Sequence, residues 1–280
     1  MDPTMSRIVL FSLLLASLVG CGGGERQPDA PPVVKAVVEK KPEPAPVKAA
    51  PGGWGTITGR ITWGGDAIPP RPQLDLKMHA DEKFCEKDGK IMDEEWIVDP
   101  KNKGLKNAFI WLEPKAKGEK LPIHPDLEKV EATPLEIDQP VCMFTPHGFA
   151  LRQGRVLRVK NSSGIVHNFK YDGVVAGNPL IPPGGVAEIA NLQADRLPYA
   201  LSCSIHPWMR GWARVFDHPY FAVTDTDGGF KFAKAPAGEF RLKIWHGSGG
   251  WLGGKDGRDG RPITIKAADN DLGAIPYPPP

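Results

Sequence analysis

From Trp54 onward, apolar and polar residues alternate in short runs. "GTITGRITW" alternates cleanly and is followed by "GGD", a turn signal. "LKNAFIWLE" (Leu105 to Glu113), "GRVLRVKN" (Gly154 to Asn161), "GVAEIANL", "PYALSC" and "GWARVFD" continue in the same style. Each is short, β-branched or aromatic, and bounded by Gly, Pro, Asn or Asp, which marks strands. No stretch sustains a long 3.6-residue apolar period, and only "LDLKMHADEKFCEK" has room for a helix. The pattern predicts an all-β protein, an antiparallel β-sandwich or two of them. Towards the end, alternating runs in "AVTDTDGGFKFAKAPAGEFRLKIW" flank "DTDGG" and "APAG", which predicts a meander of three strands.

Ahead of Trp54 the pattern changes. Ile8 to Val19 is an apolar run of 12 residues behind Arg7. A membrane span needs about 20, so the run fits the apolar region of a signal peptide instead. It ends in "LVGC", which resembles the bacterial lipobox. The resemblance implies a leader over residues 1–20, and lipid on Cys21 as the mature N-terminus. Several acyl chains on one Cys anchor stably. Residues 21–53 are rich in Pro, Ala, Lys and Glu and lack aromatic residues, so they read as a semi-stiff tether. The expected location is the bacterial cell envelope, lipid-anchored and facing the periplasm or exterior, an oxidising compartment.

Charge excludes one class of partner. The chain of 280 residues carries 35 basic and 33 acidic side chains, a net charge of +2, which gives no reason to expect nucleic acid. The 30 prolines and 32 glycines belong partly to the tether and partly to turns, and so favour β structure. Two motif-like stretches lead nowhere. "DTDGG" begins like a calcium loop, but the twelfth position, where a carboxylate is needed, is Pro236. A hairpin turn is the expected reading. "GGWLGGKD" nearly spells a phosphate-binding loop, yet Asp256 stands where Ser or Thr should hold magnesium. No "CxxCH" or "HExxH" motif occurs.

The stretch from Ala222 to Trp245 resembles the prealbumin-like module known as the carboxypeptidase regulatory-like domain. Strands of the kinds that usually open that module stand far upstream, at Gly55 to Ile61 and Lys106 to Leu112. The expected organisation is an N-terminal β region over 54–132, a middle β domain over 133–216 and the module over 217–275. Insertion of the middle domain into the module, and two domains in series, both stay open.

The cysteines carry the chemistry. If Cys21 bears lipid, three remain. The simplest assignment pairs Cys85 with Cys142 and leaves Cys203 free, while a Cys203–Cys142 disulfide is the alternative. A free thiol in an oxidising compartment is protected if it binds a metal. Around Cys203 the spacing is Cys-x2-His-x2-Met, on a loop between two strand candidates. A thiolate, an imidazole and a thioether are three of the four ligands of a blue-copper site, and the fourth should be a His on another strand. His167 in "VKNSSGIVHNFKY" meets that requirement.

The stretch "VLRVKNSSGIVHNF…LSCSIHPWM…ARV" resembles the cupredoxins, small blue-copper electron carriers. The resemblance spans Thr133 to Phe216. It implies one type 1 copper held strongly by His167, Cys203 and His206 and weakly by Met209. Asn168 would brace the two ligand loops. It also implies an apolar docking patch at Pro207 and Trp208, and a redox partner such as a c-type cytochrome or a dehydrogenase. His147 competes with His167 or sits just outside the ligands. His79, His124, His218 and His246 read as surface or packing residues. The expected function is a membrane-tethered electron carrier without substrate turnover. An envelope scaffold with a structural or vestigial copper loop, and a copper storage or delivery protein, are the alternatives.

Overall fold

The computed structural model describes residues 52–279. The leader, Cys21 and the tether as far as Pro51 lie outside the described residues. The described strands are β1 (Trp54–Trp63), β2 (Phe109–Pro114), β3 (Leu135–Asp138), β4 (Gly148–Arg152), β5 (Leu157–Lys160) and β6 (His167–Asn168). They continue with β7 (Lys170–Asp172), β8 (Ala176–Gly177), β9 (Leu180–Ile181), β10 (Val186–Ile189), β11 (Tyr199–Ser202) and β12 (Arg210–Phe216). The last six are β13 (Phe221–Val223), β14 (Gly229–Pro236), β15 (Gly238–His246), β16 (Gly250–Trp251), β17 (Arg261–Ile265) and β18 (Asp269–Tyr277). The chain is all-β. Among the described residues, helix is confined to α1 (Glu82–Cys85), α2 (Pro125–Glu128) and a 3-10 segment at Gly254–Asp259.

Strand pairing separates two β-sandwiches. One has sheets ordered β10-β5-β3 and β4-β12-β11-β7-β8, with the short pair β6-β9 beside them. The other has sheets ordered β14-β1-β18 and β13-β2-β15-β16, with β17 on β15. Strands β1 and β2 thus pair only with strands that follow β12. The first sandwich is inserted, in sequence, between β2 and β13.

The expected three-stranded meander is absent. β13 pairs with β2, β14 with β1, and β15 with β2, β16 and β17. Only Ala237 separates β14 from β15, and the tightest common hairpin loop needs two residues. The chain instead turns a corner at Gly238, whose φ of 140° suits glycine, and crosses to the facing sheet. "DTDGG" is likewise a turn between sheets and not a hairpin. It is closed by the Gly228 amide on the Asp225 carbonyl and the Gly229 amide on the Asp225 carboxylate. Three strand pairs, β1–β18, β3–β5 and β4–β12, are parallel, which an all-antiparallel expectation did not include. Their partners are distant in sequence, so no hairpin constrains their direction.

Alternation along β2 and β12 explains how the sandwiches join. Ile110 and Leu112 of β2 face the core of the second sandwich. Ala213 and Val215 of β12 face the core of the inserted one. The opposite faces, with Phe109, Trp111 and Phe216, meet in a third apolar cluster. Between them the Arg214 guanidinium lies 4.1 Å from the ring centroids of both Trp111 and Phe216. Its charge is attracted to the ring faces. Burial pushes its pKa down to about 10, so it stays charged at neutral pH.

One segment belongs to the inserted sandwich although it precedes β2. Leu76, Cys85 and Ile91 pack into the core formed by Ile137, Phe144, Leu201 and Val215. The helix expected over "LDLKMHADEKFCEK" is reduced to the single turn α1. Met78 sits at a positive φ of 69°, which a continuous helix does not allow.

In the second sandwich His246 is buried and stacks on Trp96 at 4.6 Å. Its Nε2–H donates to the Lys106 carbonyl at 3.1 Å, and its Nδ1 accepts from the Ser248 amide at 3.3 Å. Burial lowers its pKa from 6.5 to about 4. The native state therefore holds the neutral ring while the unfolded chain takes a proton below pH 6.5. This contribution is full above pH 6.5 and is lost as pH falls towards 4. At about 1.4 kcal/mol per pKa unit, the loss from pH 7 to pH 4.5 is roughly 2 to 3 kcal/mol. We expect His246→Phe to keep the stacking and flatten the acid side of the stability curve by that amount. Urea unfolding at the two pH values measures it, and equal slopes in variant and wild type would contradict it.

Candidate metal centre

The loop Cys203–Met209 closes the β11–β12 hairpin. Pairing runs from Tyr199 opposite Ala213 to Ser202 opposite Arg210, so the loop leaves the sheet at a fixed point. Inside it the Cys203 amide donates to the Met209 carbonyl at 3.2 Å, and the Met209 amide donates to the His206 carbonyl at 2.9 Å. The first bond continues the ladder and the second curls the loop, which turns Cys203 and His206 inward.

His167 arrives on β6, opposite Ile181 of β9. The approach is set by Asn161, whose side-chain amide donates to the carbonyls of Ile165 and Ile181, both at 2.8 Å. Its Oδ1 accepts from the Ser163 hydroxyl at 2.6 Å. Asn161 is buried with these partners, so the turn before His167 has one satisfied arrangement.

The two loops converge. His167 Nδ1 and His206 Nδ1 lie 2.9 Å apart, and Cys203 Sγ is 3.7 Å from His206 Nδ1. All three donor atoms fall within 4.8 Å of one another, and all three residues are buried. Donors that each sit about 2.0 to 2.3 Å from one ion lie within about 4.5 Å of each other, so the separations suit a shared ion. Met209 is fully buried on the same loop and in the same core cluster. The His167 Nε2 is buried without a partner, so every polar group His167 engages is on its Nδ1 side.

Electrostatics favour the ligand forms. Burial first, then the neighbouring His206, pushes the His167 pKa down to about 4. Burial also lowers the pKa of His206. Both rings are therefore neutral at pH 7, and neutral imidazole is the form that binds a metal. Asn168 joins the two loops: its Oδ1 accepts from the Ser204 amide at 2.8 Å and lies 3.3 Å from Cys203 Sγ. Gln139 Nε2 donates to the Asn168 carbonyl at 3.4 Å from below.

Comparison with known proteins gives structural likeness only. No protein-family model matches the chain, and no curated protein matches it. Solved structures similar to it include the reduced form of a mutant amicyanin, at 20% identity and a TM-score of 0.27, covering 31% of this chain and 86% of that one. A purple cupredoxin from Nitrosopumilus maritimus is similar at 20% identity and a TM-score of 0.25, covering 30% of this chain and 99% of that one. A copper-containing nitrite reductase from Thermus scotoductus is similar at 21% identity and a TM-score of 0.29, covering 37% of this chain and 25% of that one.

Cys85 and Cys142 form a disulfide, and Cys203 is the free cysteine among the described residues. The disulfide is not remote from the donors. Ligand atoms of Cys85, Cys142 and His206 fall within 4.8 Å of one another. Among the described residues His147 joins no group of converging donors, and its Nδ1 faces Glu94 Oε2 at 3.2 Å. Pro207 is exposed, Trp208 is half-buried, and both line a cleft of about 570 Å³ with Met78, His79, Met143 and His147.

His79 is not an ordinary surface histidine. Its ring centroid is 5.2 Å from that of His206 and 4.7 Å from that of Trp208. Its neighbour Asp81 reaches His206 Nε2 at 3.1 Å. Neither residue is singled out by reading the sequence. The available signal is Cys85, four residues after Asp81, whose pairing with Cys142 draws the segment onto the loops that carry His167 and His206.

Proposed function

We propose that this chain is a membrane-tethered type 1 copper protein that passes single electrons between redox partners of the bacterial envelope. The observation that supports it best is the convergence of one buried thiol and two buried neutral imidazoles from separate loops. His167, Cys203 and His206 are the strong ligands in this reading, and Met209 is the weak axial one. A bound copper supplies the one-electron couple. The chain's own residues hold the donors in place before the metal arrives and keep water out. Asn161 and Asn168 fix the two loops, and the apolar core around Phe144, Phe169 and Met209 excludes water from the donors.

Few atoms then have to move when the electron does, which suits a carrier better than a catalyst. In the same reading Cys21 carries the lipid, residues 21–53 form the tether, and the head faces the periplasm or exterior. The partner is a redox protein such as a c-type cytochrome or a dehydrogenase. The second sandwich is read as the carboxypeptidase regulatory-like module. Protein-film voltammetry of the copper-loaded chain tests the carrier role, with one reversible one-electron wave expected. A scaffold with a structural loop gives no wave, and a store or delivery protein loses its copper to a competing chelator before a stable wave is recorded.

A further inference from the structure

We propose that Asp81 is a positioning residue for this centre: its carboxylate accepts the Nε2–H of His206, and the segment that carries it closes the edge of that imidazole facing away from the donors. The inference rests on the copper reading above. Asp81 stands at the N-cap of α1, where an aspartate normally accepts a hydrogen bond from the helix's own first turn. Here it makes no such bond. Its Oδ2 is turned to His206 Nε2 at 3.1 Å instead.

That bond decides the tautomer. A bare Nε2 would place its lone pair against a carboxylate oxygen, so Nε2 carries the proton and Nδ1 does not. The Nδ1 of His206 is then an acceptor, aimed at His167 Nδ1 and Cys203. A carboxylate on the outer nitrogen of a ligating imidazole fixes the ring and raises its basicity. Loss of such a partner typically lowers metal affinity about 10- to 100-fold.

Independent ties hold the segment in place. His79 Nε2–H donates to the Ile205 carbonyl at 3.1 Å, while His79 Nδ1 accepts from the Asp81 amide at 3.2 Å. The Cys85–Cys142 disulfide pins the end of α1. Phe84 packs on the loop before His167, where a Cβ added to Gly164 would meet its ring at 3.0 Å. The segment therefore touches both ligand loops. His206 is 0% exposed, although it stands on a surface loop beside the exposed Pro207. A partner docking at Pro207 and Trp208 meets this cap as well as the loop.

The test compares the full chain with Asp81→Ser and Asp81→Asn. Serine keeps a good N-cap, so α1 is preserved, but it is too short to reach Nε2. Asparagine keeps an oxygen acceptor. Long-range proton–nitrogen NMR of the metal-free protein reads the His206 tautomer. Transfer of Cu(I) from the loaded protein to bathocuproine disulfonate reads how firmly the site holds its ion. We expect Nε2–H in wild type and Asp81→Asn, its loss in Asp81→Ser, and copper release at least about 10-fold faster from Asp81→Ser alone. An unchanged tautomer or release rate in Asp81→Ser overturns the inference. So does an Asp81→Asn that releases copper as fast as Asp81→Ser. A wild type that takes up no copper overturns the copper reading instead, and the tautomer comparison still decides the role of Asp81.

Discussion

If the centre is the proposed copper site, we expect Cys203→Ser to remove the intense visible absorption of the copper-loaded protein and to leave the fold standing. The blue of such a centre is a charge-transfer band from thiolate sulfur to Cu(II), and a hydroxyl oxygen cannot supply it. Cys203 is 2% exposed and is the free cysteine among the described residues, so no other thiol there can take its place. Serine is slightly smaller and polar, but Asn168 Oδ1 stands 3.3 Å from the sulfur position and can accept from the new hydroxyl. The buried hydroxyl is then satisfied, and the cost to stability is held to about 1 kcal/mol. Visible spectroscopy reads the colour and circular dichroism reads the fold. A variant as blue as wild type would remove Cys203 from the ligand set.

Removing the Cys85–Cys142 disulfide lowers the stability of the metal-free protein by about 4 kcal/mol. The bridge spans 57 residues, and closing a loop of that length restricts the unfolded chain by about this amount. The loop begins at the last residue of α1 and contains the whole of β2, so the bridge ties the cap to the inserted sandwich across a strand of the other one. The double variant Cys85→Ala with Cys142→Ala is the one to use. A single replacement would leave a second thiol beside the centre, since both bridge sulfurs lie within 4.8 Å of a His206 nitrogen. Urea unfolding measures the loss from the shift in midpoint. A change under about 1 kcal/mol would mean that core packing of Leu76 and Ile91 already holds the cap by itself.

The strands were legible because alternation is local. β1, β5, β10, β11 and β12 each fall within a run whose period is two. Strand partners were not legible, because alternation assigns faces and not neighbours. This is why "DTDGG" and "APAG" read as hairpins although β13, β14 and β15 lie in different sheets or on different neighbours. Continuous apolar runs were more informative than they looked. "FIWL" in β2 is buried on both faces because one face serves its own sandwich and the other serves the junction.

The site divides the same way. Cys203, His206 and Met209 lie within seven residues, so spacing alone drew attention to them. His167 was legible only through the ligand chemistry, which asks for a His on another strand, and the structure places it against His206. The cap was invisible, because Asp81 and His206 are 125 residues apart and the segment between Leu74 and Lys87 has no sustained period. What brings them together is tertiary: a disulfide, two buried aliphatic side chains and a carboxylate that forgoes its own helix.

The most direct measurement is a titration of the metal-free chain with Cu(II), followed by visible absorption. We expect an intense blue band that grows linearly and breaks at one copper per chain. A colourless protein at saturation, or a break at a different ratio, would contradict it.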